Sequence, residues 1–292
     1  MIQAGRSLRL ARLLGSEDEP LLIVPMDHTV TDGPFTNARR YDEVVGILAR
    51  SGADAIVVHK GRLRLIDRAA YSRLKVIVHI SASTRYATDP NDKYQVADID
   101  NCLRLGADAI SVHVNMGSPT EKDQIRVLAD AADACDRAGL PLLAMVYPRG
   151  PGMKDFPHVE TVMHAASLAA DLGADIVKLP LSGSAREMRQ IVESSPIPVV
   201  SAGGSQVSDA DFNVFLAQVM RSGARGIAAG RNIFMADDPA RKVGEVRDVL
   251  RQNYIGSGSV SVIDLARAKP DGVEFELHAL AGRREAQDGA VM

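Results

Sequence analysis

A short phrase, Gly-Ala-Asp leading into Ile, recurs along this chain and divides it into units of similar length. It begins at Gly52, Gly106 and Gly173, and a variant with Arg in place of Asp begins at Gly223. Glycine commonly ends a helix because it tolerates the left-handed cap, and the apolar run after it is typical of a buried strand. The copies are 54, 67 and 50 residues apart, which is room for two α/β units each. The phrase therefore predicts every second strand of a larger parallel sheet.

The apolar runs predict eight strands that alternate with helices or loops. Strands are predicted at 21–26, 54–59, 74–79, 109–114, 141–147, 175–179, 197–202 and 226–229, and helices at 6–15, 40–51, 94–105, 119–138, 158–172, 184–193, 208–221 and 238–252. Eight such units over about 230 residues are typical of a (β/α)₈ TIM barrel. The alternative, an open doubly wound sheet, would have a Gly-rich turn after its first strand, where this chain has Asp27-His28. We predict a barrel over residues 1–255 and a partly disordered C-terminal extension over 256–292.

Composition excludes several classes of partner. The net charge of −3 provides no general attraction for nucleic acid, and 4% aromatic residues without Trp provide no base-stacking surface. No segment is long and apolar enough to span a membrane. Cys102 and Cys135 fall in predicted helices, which favours a reducing cytoplasm over a disulfide framework. We expect a cytoplasmic protein that binds neither nucleic acid nor membranes, and a homo-oligomer in which the leading helix is a candidate contact.

Polar residues at the predicted ends of the strands are the candidates for a ligand site. Active sites of barrels lie at the C-terminal face of the strands. The residues expected to line a polar substrate pocket there are His28, His59, Lys60, His113 and Arg149, with His79 on the same rim. Histidines from separate strands are also compatible with a Zn²⁺ site, but no pair has close metal-ligand spacing such as His-x-His. We therefore predict no metal and no organic cofactor.

The loops after the seventh and eighth strands have the composition of a phosphate site. They contain Gly203-Gly204 and Gly230-Arg231. Glycines let the backbone approach a phosphate, and barrels commonly bind phosphate at these two loops. Arg231 adds a fixed charge. The alternative is that the glycines only make tight turns.

Three side chains could carry chemistry beside that site. Lys178 ends a strand of Ile and Val, where burial disfavours the charged ammonium, so a neutral amine there could attack a carbonyl and form a Schiff base. Tyr147, at the end of the neighbouring strand, could donate or accept a proton, and Asp27 could orient a substrate hydroxyl. The alternatives are that Lys178 pairs with a carboxylate or holds phosphate, that Tyr147 caps the core, and that Asp27 caps a loop or pairs with Lys60.

With these residues identified, the chain resembles the archaeal-type class I aldolases, which act through a lysine Schiff base. The group includes archaeal-type fructose-bisphosphate aldolases and the 2-amino-3,7-dideoxy-D-threo-hept-6-ulosonate synthases. The matching segments are Val24–His28, Val146–Gly150, Asp175–Lys178, Ala202–Gly204 and Gly230–Phe234. The synthases are the more similar group, because they share the stretches seen here at His59–Gly61 and His113–Ser118.

The resemblance implies roles for the candidate residues. It implies that Lys178 forms the Schiff base, that Tyr147 is the acid/base, and that Asp27 assists proton transfer at the substrate hydroxyl. It also assigns the phosphate to the two glycine loops. The chain departs from the family after the lysine, where a Tyr-Thr-Gly-Asp-like stretch is replaced by residues 179–184, Leu-Pro-Leu-Ser-Gly-Ser.

The function expected from this resemblance is that of a class I aldolase or transaldolase. It would form or cleave a carbon–carbon bond of a phosphorylated ketose, with aspartate semialdehyde as the acceptor. The alternatives are a fructose-bisphosphate aldolase of the archaeal type, a metal-dependent aldolase on the same barrel, and a non-catalytic phosphosugar sensor.

Overall fold

The apolar runs that follow the repeated phrases form strands of one closed barrel. The computed structural model of the chain describes residues 4–151, 153, 158–181 and 183–256. The barrel strands are β1 Leu21–Pro25, β2 Ala55–Val58, β3 Lys75–His79, β4 Ala109–Met116, β5 Leu142–Pro148, β6 Ile176–Leu179, β7 Val199–Ala202 and β8 Gly226–Ala228. Each strand pairs in parallel with its two sequence neighbours, and β8 closes onto β1. The predicted (β/α)₈ barrel is confirmed.

The described residues form twelve helices, and the longer ones between strands cover the outside of the barrel. They are α1 Ala4–Leu14, α2 His28–Asp32, α3 Ala38–Ser51, α4 Lys60–Leu63, α5 Arg68–Tyr71, α6 Ile99–Arg104, α7 Glu121–Ala138, α8 Val159–Asp171, α9 Ala185–Ser194, α10 Asp209–Arg221, α11 Arg231–Phe234 and α12 Pro239–Asn253. A large apolar core fills the layer between these helices and the strands. None of the described helices combines the length and the apolar character needed to cross a bilayer.

The Asp of the repeated phrase fastens neighbouring strands together at the N-terminal end of the barrel. The carboxylate of Asp108 accepts a hydrogen bond from the backbone N–H of Val76 at 2.8 Å. Asp54 and Asp175 do the same, at 2.7 Å each, for the backbone N–H groups of Leu22 in β1 and Leu142 in β5. In the fourth copy Arg225 instead donates to the backbone carbonyls of Leu14, at the end of α1, and of Ser16 and Glu19, between α1 and β1. The phrase is therefore a structural device, at the opposite end of the strands from the candidate site.

We expect Asp108→Ala to destabilise the fold by about 1–3 kcal/mol, because it leaves the partly buried N–H of Val76 without an acceptor. Asp108→Asn keeps an acceptor oxygen, so it should destabilise the fold less than Asp108→Ala does. Asp130→Ala, on the exposed face of α7, is the control and should stay within about 0.5 kcal/mol of the wild type. Urea unfolding of the three variants measures the differences. Equal losses for Asp108→Ala and the control would contradict this role.

The leading helix closes the bottom of the barrel. Leu10 and Leu13 of α1 are buried against the apolar side chains of the barrel interior. Arg6 forms ion pairs with Asp175 and Asp136. The apolar face of α1 is thus occupied within its own chain, and a contact between subunits would have to use another surface. The homo-oligomer and the cytoplasmic location remain predictions.

The structure departs from the predicted elements between β3 and β4. A helix was expected over 94–105, but Tyr94–Gln95 pairs antiparallel with Ser81–Ala82, and α6 begins only at Ile99, after the capping side chain of Asp98. The segment between these two short strands therefore returns to the barrel mouth. The short helices α2, α4, α5 and α11 have too few residues to show a helical period. The predicted C-terminal extension lies, from residue 257 onward, outside the described residues.

Candidate active site

A cavity of about 690 Å³ opens at the C-terminal ends of the barrel strands. It is lined by nearly all of the residues that the sequence analysis selected: Asp27, His28, His59, His113, Tyr147, Arg149, Lys178, Gly203, Gly204, Gly230 and Arg231. They come from β1, β2, β4, β5, β6, β7 and β8 or the loops that follow them. The barrel thus brings together residues that are distant in sequence.

Lys60 is the exception. His59 is the cap residue of α4, and Lys60 begins that helix. The Lys60 side chain is exposed and acts electrostatically on Cys102 of α6, outside the barrel. The predicted pocket position of Lys60 is therefore wrong, because the chain leaves the strand direction directly after His59.

Lys178 projects from β6 into the floor of the cavity. In the barrel register it lies opposite Met145 of β5 and Val200 of β7. Met145 and Val200 belong to the apolar cluster inside the barrel, and Lys178 is only 8% exposed. The Nζ atom lies 6.0 Å from the ring centre of Tyr147, which is two residues further along β5. The amine thus sits at the boundary between the dry interior and the open mouth.

A row of rings forms one wall of the cavity and ends at Tyr147. The ring centres of His59 and His79 are 5.3 Å apart, those of His79 and His113 are 6.5 Å apart, and those of His113 and Tyr147 are 4.9 Å apart. Burial lowers the pKa of His59, lowers that of His79 to about 4, and lowers that of His113 well below its usual range. These three histidines are therefore neutral at physiological pH.

The protonated nitrogen of His113 is fixed by a hydrogen-bond network behind the ring. Its Nε2 lies 2.9 Å from Oδ1 of Asn115, whose Nδ2 donates to the carbonyl of Asn91. Oδ1 of Asn115 must therefore accept, so Nε2 of His113 carries the proton. Gln124 holds Asn115 in place by accepting from its backbone N–H.

Asp27 remains ionised among these neutral rings. Burial acts against its charge, but the facing His79, His28 and Lys178 outweigh it and lower the pKa of Asp27 to about 2. Its Oδ2 lies 4.0 Å from Nε2 of His79, and Oδ1 has no hydrogen-bond partner among the described residues. The carboxylate can therefore accept a hydrogen bond from a ligand hydroxyl.

Two glycines let the loops after β7 and β8 approach each other closely. A Cβ atom at Gly203 would lie 2.7 Å from Cα of Ala229, and one at Gly230 would lie 2.6 Å from the carbonyl oxygen of Pro25. Such contacts leave no room for a larger residue. The backbone at Gly203 and Gly230 therefore packs directly against its neighbours and lines the cavity.

A side-chain amide joins these two loops. Asn232 donates to the carbonyls of Gly203 and Ser205, and Arg231 donates to the carbonyl of Gly204. The backbone N–H groups of Gly204 and Ser205 have no acceptor among the described residues. Free N–H groups beside a guanidinium are suited to an anion such as phosphate.

A match to a known protein family shows where this chain belongs. The family model described as "DeoC/LacD family aldolase" matches residues 21–236, which span the whole barrel. This chain belongs to the DeoC/LacD aldolase family. It is an aldolase, as the resemblance implied.

Curated relatives are similar to this aldolase over most of their length. The 2-amino-4,5-dihydroxy-6-oxo-7-(phosphonooxy)heptanoate synthase of Streptomyces griseus is 47% identical over 85% of this chain and 91% of the relative. The 2-amino-3,7-dideoxy-D-threo-hept-6-ulosonate synthase 1 of Archaeoglobus fulgidus is 41% identical over 81% of this chain and 87% of the relative. An archaeal fructose 1,6-bisphosphate aldolase of known structure has a TM-score of 0.76 at 22% identity, covering 85% of this chain and 99% of its own, which shows the same fold.

Several residues in or behind the cavity of this aldolase had no role predicted from the sequence. Lys93 and Asp32 line the cavity from segments that are not strand ends, and His79 was placed on the rim without a role. Asn115 and Gln124 act behind His113. The rule of strand ends finds residues on strands, and of these five only His79 and Asn115 follow it.

Acid should destabilise this aldolase through His79. The folded pKa is about 4, below the ordinary 6.5, so the unfolded chain binds the proton first. The contribution of neutral His79 to the free energy of unfolding is complete above about pH 6.5. It is lost as the pH falls towards 4, and the loss at pH 5 is about 2 kcal/mol. His79→Gln should flatten this dependence, while His164→Gln, exposed on α8, should leave it unchanged. Urea unfolding between pH 5 and 7.5 checks this, and parallel curves for wild type and His79→Gln would contradict it.

Proposed function

We propose that this aldolase joins a phosphorylated three-carbon ketone to an amino-acid aldehyde through a Schiff base on Lys178. The observation that carries the proposal is the position of Lys178. It is a nearly buried amine at the floor of the cavity, beside Tyr147 and the ionised Asp27 and adjacent to the glycine loops. An amine at this position can add to the carbonyl carbon of a ketone that is bound in the cavity.

The substrates follow from the chemistry that one relative's name describes. The Streptomyces griseus relative is named for a seven-carbon acid with a 2-amino group, hydroxyls at C4 and C5, a ketone at C6 and a phosphate at C7. An aldol reaction that makes this hydroxyketone joins C4 to C5. Opening that bond gives dihydroxyacetone phosphate and aspartate semialdehyde, which we propose as donor and acceptor here.

The donor half of the reaction uses Lys178 and Tyr147. The phosphate lies against the loops that contain Gly203, Gly204, Gly230 and Arg231. Nζ of Lys178 adds to the ketone carbon, and the carbinolamine loses water to give an iminium ion. A proton then leaves the adjacent CH₂OH carbon, which yields an enamine. Tyr147 gives and takes these protons from beside Lys178.

The acceptor half forms the new bond and frees the enzyme. The enamine carbon attacks the aldehyde carbon, whose oxygen takes a proton and becomes the C4 hydroxyl. Water adds to the new iminium and releases the ketone product and Lys178. The water lost in the first half is thereby returned, so the reaction has no net by-product.

Asp27 has an electrostatic role in this scheme. A carboxylate with a pKa of about 2 is a weak base at neutral pH, because efficient proton acceptors have a pKa near the working pH. We infer that Asp27 stabilises the positive iminium and accepts a hydrogen bond from a donor hydroxyl, and that it does not itself carry the proton.

Borohydride trapping tests the proposed function. Dihydroxyacetone phosphate with borohydride should add one reduced donor to Lys178, visible by intact mass and peptide mapping. Addition of aspartate semialdehyde without borohydride should give the seven-carbon phosphorylated product. Absence of an adduct, with product formation that EDTA abolishes, would instead support the metal-dependent alternative.

A second candidate is a fructose-bisphosphate aldolase. The cavity has cations at both ends, Arg231 at one and Lys93 with Arg149 at the other, an arrangement that also suits a bisphosphate. Cleavage of fructose 1,6-bisphosphate at a rate above that of the synthase reaction would favour this candidate. The trapped Lys178 adduct is common to both.

A further inference from the structure

Lys93 is a buried cation that forms no ion pair with the described residues. It is 8% exposed and lines the cavity, and among the described residues it makes no hydrogen bond and no ion pair within 4.0 Å. Burial and the neighbouring charge of Arg149 both lower the pKa of Lys93, partly opposed by the fields of Asp27, Asp32 and Asp89. Two like charges facing one cavity are unfavourable until an anion lies between them.

Arg149 is also unpaired in the described structure. Its guanidinium has no hydrogen-bonded partner there and lies 5.6 Å from the ring centre of Tyr147. The fields of Lys93 and Arg149 both act on His113. The two cations therefore both lie near His113, and all three residues line the cavity.

This side of the cavity faces away from the phosphate loops. Around the barrel, β7 and β8 are followed by β6 with Lys178, then by β5, β4 and β3. Arg149 follows β5, and Lys93 belongs to the segment after β3. A ligand with its phosphate at Gly203 and Gly230 and its ketone carbon on Lys178 therefore extends its remaining carbons towards Lys93 and Arg149.

We propose that Lys93 and Arg149 bind the carboxylate of the aldehyde acceptor. The proposal rests on the proposed function, because it places the acceptor next to a donor that is held on Lys178. In aspartate semialdehyde the carboxylate is three carbons from the aldehyde carbon, so it lies beyond the new bond on the side away from the donor. The pair would select short aldehydes that carry a carboxylate over neutral aldehydes of the same length.

The test compares acceptors that differ in charge. The carboxylate acceptors are aspartate semialdehyde and 4-oxobutanoate, the neutral acceptor of equal carbon number is butanal, and glyceraldehyde 3-phosphate has a phosphate instead. The variants are Lys93→Met, Arg149→Met and, as a matched control, Lys60→Met, which replaces an exposed lysine outside the cavity. The donor half-reaction is measured separately, as deuterium exchange at the CH₂OH carbon of dihydroxyacetone phosphate without any acceptor.

Lys93→Met and Arg149→Met should each lower kcat/KM for the two carboxylate acceptors by about 10- to 100-fold, the usual range for a lost charge-assisted contact. The rate with butanal, the deuterium exchange and the melting temperature should change little, and Lys60→Met should behave as the wild type. Lys93→Arg, which keeps the charge, should recover part of the loss.

Three outcomes would overturn the assignment. Equal losses with butanal and with the carboxylate acceptors would give Lys93 a structural role. Unchanged rates with the carboxylate acceptors would place their binding elsewhere. A loss confined to glyceraldehyde 3-phosphate would assign the pair to a phosphate. A wild type without deuterium exchange and without a borohydride adduct is a different result, since it rejects the proposed function itself.

Discussion

Lys178→Met is expected to abolish carbon–carbon bond formation, with a fall in kcat/KM of roughly 10⁵-fold, the scale seen when a covalent nucleophile is removed. Without Nζ no carbinolamine forms, and borohydride should trap no donor on the protein. The fold should be retained, because Met is apolar and of similar length, and it would lie among Met145 and Val200. Product assays, intact mass and thermal unfolding together measure these effects.

Two further variants separate the nucleophile from its charge. Lys178→Arg keeps a cation at the same place but supplies no amine, so it should be as inactive as Lys178→Met. Lys75→Met, at the other end of a barrel strand, should keep full activity. Substantial turnover in Lys178→Arg would show that Lys178 only holds phosphate and would sink the Schiff-base mechanism.

The barrel could be predicted because the repeated phrase indicates both the end of a helix and the start of a buried strand. Gly52 has the left-handed conformation, φ 98°, that ends α3, and the apolar residues after it are buried on both sides, so they read as a continuous run. The hydrogen bond that the backbone N–H of Leu22 donates to the carboxylate of Asp54 could not be predicted from the sequence. It joins residues 32 positions apart, and the composition of the phrase contains no sign of that pairing.

The candidate site could be predicted from the sequence where a reactive side chain lies at the end of a predicted strand. Lys178 and Tyr147 lie near the ends of strands, and the apolar runs in the sequence locate those strands well. Lys60 shows the limit of this reasoning, because a helix that begins directly after His59 turns the next side chain outward. Lys93 shows the complementary limit, since its segment returns to the barrel mouth only through the pairing of two short strands.

The row of rings shows a third limit. His113 was selected from the sequence, but its protonated nitrogen depends on Asn115, Asn91 and Gln124, which meet only in the folded chain. The charge of a buried histidine likewise depends on what faces it. Sequence analysis therefore identified the residue and left its chemical state to the structure.

Asp27→Asn is expected to lower kcat by about 10²- to 10³-fold, the scale of a lost electrostatic contact to a developing charge. The amide has nearly the same shape but carries no charge to stabilise the iminium on Lys178. Deuterium exchange of the donor should therefore slow together with product formation, because both pass through the iminium and the enamine. Asp32→Asn is the matched control. Asp32 also lines the cavity, but its side chain is exposed, and its donor exchange should change little.

The pH profile distinguishes an electrostatic Asp27 from a proton-transferring one. With a pKa of about 2, Asp27 stays ionised throughout pH 5 to 9, so it contributes no limb to the profile in that range. Wild type and Asp27→Asn should then give profiles of the same shape, separated by a constant factor. A proton-transferring Asp27 whose pKa lay inside this range would instead produce an acid limb in the wild type that the variant lacks. Loss of such a limb in Asp27→Asn would assign the proton transfer to Asp27 and would leave Tyr147 with only a positioning role beside Lys178.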